Sequence, residues 1–511
     1  MPDRRMSPAD ACWLYGDHEG NNVIASVLMW TDRRLDVDAF RGIVKERLLD
    51  QYPPFTQRIR KSRNPLLLPH WEDDPEFDID YHIDVLELPE PGDKEQLEAL
   101  ISEQRSAPLD RAKPLWRIHI IQGYRGASAI HARLHHAIAD GWSMVRVVMS
   151  LADESVAAPA VAVAEPEPRR RKRDVAKDAA KGSVDTAKQA AGSAARAAAG
   201  ARDAVVEAVG SPRSVPARLA SGVDAVQQAF TLTPDPKRLM EFGASVPDAM
   251  KGQVAPVVRA AGTAADGAEG VVEFLNSPKP GLTVLHGTAS GKKKISWIDP
   301  IPLLPIKQAS KSLGFTVNDV FMGAVTTGLR RYLLENDALT VDELLVSGQV
   351  SLRKPTDPLP RNLGNRFASV PVLLPVGMAD PIDQMRAIKA QMDEVKDSMM
   401  PIVAWGVVSG LSLTTPEVER LIHMLTQEHV AGVLSNVPGP SGPLTLAGAK
   451  VLGACGLGGV VANMNLNIAI FTMNDMLNMA IQSDTAITPD PERIIELVLD
   501  SLEAIQHQAA E

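Results

Sequence analysis

Two adjacent histidines, His135 and His136, open the run His135-His136-Ala137-Ile138-Ala139-Asp140-Gly141, with the carboxylate of Asp140 four residues after the second imidazole. Histidine is the side chain whose unperturbed pKa lets it take a hydroxyl proton and return it to a leaving group near neutral pH. General base catalysis is therefore the chemistry such a pair offers. Two plainer readings compete. A lone histidine is often a hydrogen-bonded packing residue, and His and Asp are both metal ligands. No third or fourth ligand lies at a recognisable spacing, and Cys12 and Cys455 are distant, so no metal is expected here.

The elements around the run decide how its side chains point. In Ser128-Ala129-Ile130-His131-Ala132-Arg133-Leu134-His135 the apolar residues Ile130, Ala132 and Leu134 fall on one face, the period of a strand. Neighbours on a strand face opposite ways, so His135 and His136 cannot share one task if the strand continues. After it, Val145, Val148 and Leu151 recur at helical spacing over Asp140 to Glu154. The complete pattern on a strand-turn-helix favours catalysis over packing.

At 511 residues the chain exceeds what one core usually serves, and two domains are expected. Hydrophobic residues make up 45%, enough for substantial cores, while aromatics at 4% disfavour recognition by base stacking. The net charge of −10 gives no basic field for nucleic acid. Two cysteines cannot build a disulfide framework and suit a reducing cytoplasm. The start runs into polar and acidic residues, so no secretory signal is expected. No uninterrupted apolar run reaches about 18 residues, the length a spanning helix needs.

Composition divides the chain into three zones. Residues 1–155 and 286–511 are mixed and globular, and residues 156–285 are rich in Ala, Gly, Pro and charge. In the second globular zone Lys294 to Ile298, Val346 to Leu352 and Phe367 to Leu374 read as strands. Pro302 to Leu313, Phe321 to Leu334, Asp380 to Asp397 and Pro491 to His507 read as helices. Within the insertion, Arg169-Arg170-Arg171-Lys172-Arg173 leads into an Ala-rich stretch where Asp174, Asp185, Arg196 and Glu207 recur every 11 residues. Eleven residues are close to three helical turns, so one face would stay aligned over a helix of about 55 Å. Such a stretch suits either a lipid surface, with the basic cluster on anionic headgroups, or a solvated bridging helix.

The pattern HHxxxDG is the signature of the CoA-dependent acyltransferase superfamily, and further blocks narrow the resemblance. Met6-Ser7-Pro8-Ala9-Asp10-Ala11, Pro54-Phe55-Thr56-Gln57-Arg58, Trp71, Phe77 to His82 and Leu88 to Gly92 resemble the bacterial wax ester synthase/acyl-CoA:diacylglycerol acyltransferase family. Pro108-Leu109-Asp110-Arg111-Ala112-Lys113-Pro114-Leu115-Trp116 matches its PLDRxxPLW, about 20 residues ahead of the histidines. Val317-Asn318-Asp319-Val320 matches its ND motif, and Leu363-Gly364-Asn365 and Ser435-Asn436-Val437-Pro438-Gly439-Pro440 match two more blocks. Together these span both globular zones but not the insertion. The late chain departs from the pattern. Ala454-Cys455-Gly456 and Met464-Asn465 stand where the family has a Tyr-Pro pair and a glycine-rich approach, and Phe471-Thr472 replaces Ser-Tyr. These departures are expected to alter the walls of an acyl or alcohol pocket.

The resemblance implies an α/β fold (α+β) of two chloramphenicol-acetyltransferase-like halves with a tunnel between them, joined by the helical insertion. It implies an O-acyltransferase that moves a long-chain acyl group from acyl-CoA to diacylglycerol or a fatty alcohol. His136 would be the proton acceptor, His135 a support residue, and Asp140 a structural one that ties down the turn through an arginine. Asn318 is a candidate oxyanion donor, though an asparagine there would equally suit the N-cap of a helix starting near Asp319. Ser435 to Pro440 and Leu363 to Asn365 read first as turns and second as tunnel lining. Acyl-CoA is a co-substrate and no other cofactor is expected. The expected location is cytoplasmic, with peripheral contact at the inner membrane or lipid inclusions. A condensation-type transferase with a carrier-bound donor, or an idle lipid-surface protein, would carry some of the same features.

Overall fold

A computed structural model describes residues 4–17, 20–62, 67–153, 279–354, 357–398, 401 and 427–510. Arg169 to Arg173 and the 11-residue repeat lie outside these residues.

The first half runs β1 (Arg4–Arg5), α1 (Pro8–Tyr15), β2 (Ile24–Thr31), α2 (Val37–Val44), β3 (Gln57–Arg60), β4 (His70–Asp73), α3 (Ile79–His82) and β5 (Ile83–Glu87). It continues through α4 (Lys94–Ser106), β6 (Trp116–Gln122), β7 (Ser128–His135) and α5 (Gly141–Leu151). The second half runs β8 (Lys293–Trp297), β9 (Ile301–Pro302), α6 (Leu303–Leu313), α7 (Val317–Glu335), β10 (Leu344–Ser351) and β11 (Phe367–Leu374). Then follow α8 (Pro381–Asp397), β12 (Gly432–Pro438), β13 (Thr445–Leu446), β14 (Ala449–Leu457), β15 (Leu466–Met473), β16 (Met476–Asp484) and α9 (Pro491–Gln508).

The result is a mixed α/β architecture on two large mixed sheets. One has the order β13-β14-β2-β7-β6-β5; the other has β11-β10-β12-β15-β16-β8, with β9 on β16. The halves are not separate in space, because β14 belongs to the second half of the sequence yet pairs antiparallel with β2 of the first. Arg105 of α4 makes a second tie: its Nε and one terminal nitrogen donate to Gln482 Oε1 of β16 at 2.8 and 2.6 Å.

Local chemistry explains the element ends. Asp140 caps α5 by accepting from the Ser143 amide at 2.8 Å, which fixes where β7 gives way to helix. The helix expected from Phe321 begins four residues earlier at Val317, because Thr316 and Asp319 form a capping box. On the second sheet, Val325 and Leu329 of α7 and Ile494 and Val498 of α9 are fully buried. A Cβ on Gly328 would lie 2.6 Å from Val498 Cγ2, so only glycine lets α7 and α9 approach this closely. Ser435 to Pro438, read from sequence as a turn, is strand, held in parallel register with β15 from Gly432↔Leu466 to Pro438↔Thr472. Among the described residues no helix is long and apolar enough to cross a membrane.

Candidate active site

Strand β7 ends at His135, and the two histidines part there. The His135 amide donates to Leu115 O at 2.9 Å, and the His136 amide donates to Val23 O at 2.9 Å. His135 is buried; its Nδ1 accepts from the Ala137 amide at 3.1 Å and its Nε2 faces Asp17 Oδ2 at 3.5 Å. Arg111, the arginine of the PLDR block, also pairs with Asp17. Burial lowers the pKa of His135, opposed by Asp17.

His136 turns instead toward the second half of the chain. Its Nδ1 lies 2.9 Å from Asn365 Oδ1. The Asn365 amide nitrogen donates to Asp10 Oδ1 at 2.9 Å and to the His136 carbonyl at 2.8 Å, and the Asn365 backbone N–H donates to Asp10 Oδ1 at 2.8 Å. Ser7 Oγ donates to the other oxygen of Asp10 at 2.6 Å. A backbone carbonyl only accepts, so Asn365 must turn its NH2 to it and its oxygen to the imidazole. Nδ1 therefore carries the proton, and the lone pair resides on Nε2. Burial pushes the Asp10 carboxyl above its ordinary range, against the hydrogen bonds from Ser7 and Asn365.

Two rings flank the imidazole. Trp13 stacks on it at 4.4 Å between centroids with a 26° interplanar angle, and Phe367 lies 5.3 Å from both rings. This enclosure removes water from around His136, and burial lowers its pKa to about 4 despite the opposing pull of Asn365 and Asp140. At neutral pH the ring is uncharged.

The hydrogen bonds of Asp140 go to groups other than the His136 ring. Besides capping α5, it accepts from Arg353 Nε at 3.2 Å and from the Arg366 amide at 2.8 Å. A terminal nitrogen of Arg353 donates to the carbonyls of Leu363 and Gly364 at 3.2 and 3.1 Å. One arginine thus joins the HHxxxDG turn to the loop that carries Asn365. Gly364 has φ of +81°, and its amide donates to Ile138 O at 2.9 Å, so the two segments run side by side.

Asn318 is not the cap of α7; that position belongs to Thr316. It lies on the first turn of α7, where its Oδ1 accepts from Asn436 Nδ2 at 3.0 Å. Asn436 belongs to β12, and the next residue, Val437, places its Cγ2 3.9 Å from where a Gly141 Cβ would lie. The ND block, the SNVPGP block and the start of α5 therefore meet along one seam. Asp10, Trp13, Asp17 and Phe367 had no assigned role from sequence, and Asn365 was read there only as part of a turn and of a tunnel wall. Asp10 and Asn365 sit inside matched blocks, but nothing in their spacing links them to His136. Among the described residues no group of three or more His, Cys, Asp or Glu is placed to hold a metal ion.

Comparison with known proteins follows the same outline. A family model described as the wax ester synthase/diacylglycerol acyltransferase catalytic domain matches residues 6–241, and that family's C-terminal domain matches residues 363–506. A Mycobacterium tuberculosis protein named as a diacylglycerol O-acyltransferase is 25% identical over 485 residues, covering 91% of this chain and 87% of its own. Another from the same species, similarly named, is 26% identical over 512 residues, covering 98% and 99%. Among solved structures, the wax ester synthase/diacylglycerol acyltransferase of Marinobacter aquaeolei VT8 aligns with a TM-score of 0.62 at 18% identity, covering 99% of this chain and 100% of that one. The first condensation domain of the calcium-dependent antibiotic synthetase aligns with a TM-score of 0.58 at 13% identity, covering 100% and 96%.

Proposed function

Because the chain belongs to the wax ester synthase/diacylglycerol acyltransferase family, we propose that His136 is the general base in a direct transfer of an acyl group from acyl-CoA to an alcohol. The chain is an O-acyltransferase, and its acceptor class is diacylglycerol or a long-chain fatty alcohol, giving triacylglycerol or wax ester. The contact from Asn365 Oδ1 to His136 Nδ1 carries the mechanistic reading.

With Nδ1 protonated, Nε2 takes the proton of the acceptor hydroxyl as its oxygen attacks the thioester carbonyl. The tetrahedral oxyanion collapses, the C–S bond breaks, and the imidazolium returns the proton to the CoA thiolate. Atoms and protons balance with acyl-CoA as the sole co-substrate. The oxyanion needs a preorganised donor, a group typically worth about 3 kcal/mol in known hydrolases. Asn318 is assigned that role, supported by its place at the helix N-terminus and by Asn436, which occupies its carbonyl and leaves the NH2 to donate. His135 braces the turn through Asp17, and Asp140 does so through Arg353.

Contact with a lipid surface, from the cytoplasmic side of the inner membrane or at lipid inclusions, is assigned to the insertion. The support is its charge pattern, with Arg169 to Arg173 ahead of the 11-residue repeat. Purified protein supplied with palmitoyl-CoA and either dioleoylglycerol or hexadecanol should release CoA and yield triacylglycerol or wax ester on lipid chromatography. Absence of both esters would overturn the reading, and transfer only from an acyl-carrier protein would replace acyl-CoA as the donor.

A further inference from the structure

Among the described residues no carboxylate hydrogen-bonds the imidazole of His136. Its Nδ1 faces the neutral amide of Asn365, and the carboxylate of Asp140 is taken up by Ser143, Arg353 and Arg366. Proton transfer nevertheless puts a positive charge on this ring while it is buried. In the Ser-His-Asp triad a buried carboxylate steadies the same imidazolium. A buried charge without any such partner is costly. The groups that do face the ring of His136 are two aromatic side chains.

Trp13 lies at 26° to the imidazole with centroids 4.4 Å apart, and Phe367 lies 5.3 Å away at 40°. Both are inside the roughly 6 Å over which a cation is attracted to the negative face of a ring. The segments that hold the base also place these rings. Asp10 and Trp13 are three residues apart on α1 and so share a face of that helix; Asp10 binds Asn365 while Trp13 covers His136. Phe367 opens β11 two residues after Asn365, and the Arg366 amide between them donates to Asp140. Excluding water needs only an apolar side chain such as Leu or Met. In a chain with 4% aromatics, two rings against one imidazole supply something more, a face that attracts positive charge.

We infer that Trp13 and Phe367 are positioning residues for the reaction, whose ring faces hold the imidazolium that forms when Nε2 of His136 takes the acceptor's proton. The inference rests on the acyl-transfer reading above, in which that proton later returns to the CoA thiolate. Trp13 carries the larger share, because it is nearer and more nearly parallel, and because tryptophan offers the strongest ring face. The charge exists only while the proton is on the base. The rings therefore act on the rate of transfer and not on substrate affinity.

Fluorine drains electron density from an indole face with little change in its size, so it separates charge stabilisation from cover. Tryptophans of increasing ring fluorination are placed at position 13, and transfer from palmitoyl-CoA to hexadecanol is followed in single turnovers with enzyme in excess. The rate should fall stepwise, roughly tenfold across the series, the scale of a desolvated contact between cation and ring. Kd for palmitoyl-CoA and Tm should match wild type. Trp13→Leu keeps an apolar cover and should lose at least as much; Trp13→Phe and Phe367→Leu should lose less. The same fluorinated series at Trp30, which faces Trp297 and not the base, should leave the rate unchanged. A rate that stays flat across the Trp13 series, or falls equally at Trp30, overturns the inference while leaving acyl transfer in place. No ester from wild type overturns the acyl-transfer reading instead. The fluorinated proteins decide the matter even where Trp13→Leu does not fold, since their side chain keeps its shape.

Discussion

His136 and Asn365 are 229 residues apart in sequence and 2.9 Å apart in space, joined from imidazole Nδ1 to amide Oδ1. The contact crosses between the halves, and Asp10 on α1 anchors its far side. The opposite orientation of the Asn365 amide would set its oxygen against the His136 carbonyl and the Asp10 carboxylate, acceptor against acceptor, so the network admits one imidazole tautomer.

Loss of the base should therefore differ from loss of its orientation. His136→Ala should lower kcat by about 10²–10⁴-fold, the usual contribution of general base catalysis. Asn365→Leu should lower kcat roughly tenfold or more with little change in KM, since the base remains but its tautomer is no longer held. His135→Ala should cost less than His136→Ala. Steady-state kinetics on folded variants check all three; activity of His136→Ala within a few-fold of wild type would remove the base from the mechanism.

The low pKa of His136, about 4, has two consequences of opposite kind. The reactive form is the neutral ring, so kcat/KM should stay flat from pH 8 down to about 5 rather than fall around the ordinary value near 6.5. Stability should behave differently. Below about pH 6.5 the unfolded chain binds a proton that the buried ring refuses until about pH 4, so stability falls across that window as pH drops. His82, also lowered to about 4 by burial, acts in the same direction. A kcat/KM profile and Tm measured over the same range separate the two effects, and an acid limb centred near 6.5 in a protein still folded would contradict the burial of His136.

Asp140 should reveal itself in folding as well as rate. Asp140→Ala removes the cap of α5 and strands Arg353, whose side chain is only 9% exposed. Breaking a buried pair from one side typically costs about 3–5 kcal/mol. Tm should drop together with activity, and Asp140→Ala/Arg353→Ala should be less destabilised than the sum of the single changes. A fall in rate at an unchanged Tm would place Asp140 in the chemistry instead.

The elements around the site were legible because their signals are local. The alternation from Ser128 to His135 and the helical spacing after Gly141 mark β7 and α5, and both form. The start of α7 was misread because Thr316 offers a hydroxyl to Asp319, a capping box that moves the helix back to include Asn318. The joining of β14 to β2 was hidden for a different reason. Which edge a strand takes depends on the remote partner it finds, and Ala454 and Gly456 carry no mark of Met29 and Val27. The same holds for Asn365 and Asp10, whose hydrogen bonds with His136 and each other exist only once three remote segments are packed. Local periodicity reports faces, not partners.

Direct transfer makes a kinetic claim. Both substrates must be bound together, so initial rates should give intersecting double-reciprocal lines, and acyl-CoA alone should leave no acylated peptide. The two thiols agree with this. Cys12 and Cys455 are buried, and burial pushes the Cys455 thiol up to about 12, far from a reactive thiolate. Ping-pong kinetics with an acyl adduct on Ser or Cys, found by mass spectrometry, would substitute a covalent mechanism.

The insertion offers the last test, since none of the residues placed around His136 comes from it. Deleting residues 169–210 removes both the basic cluster and the 11-residue repeat. The truncated protein should turn over short soluble acceptors, bind anionic vesicles less, and lose rate on vesicle-borne diacylglycerol. Binding of the full chain should also weaken with salt, because charges like those of Arg169 to Arg173 are screened within about 10 Å at 0.1 M. Vesicle sedimentation at two salt concentrations and parallel assays on soluble and vesicular acceptors measure this. Unchanged vesicle binding after deletion would leave the segment a solvated bridge, and loss of soluble-substrate turnover with aggregation would show that the catalytic halves depend on it to fold.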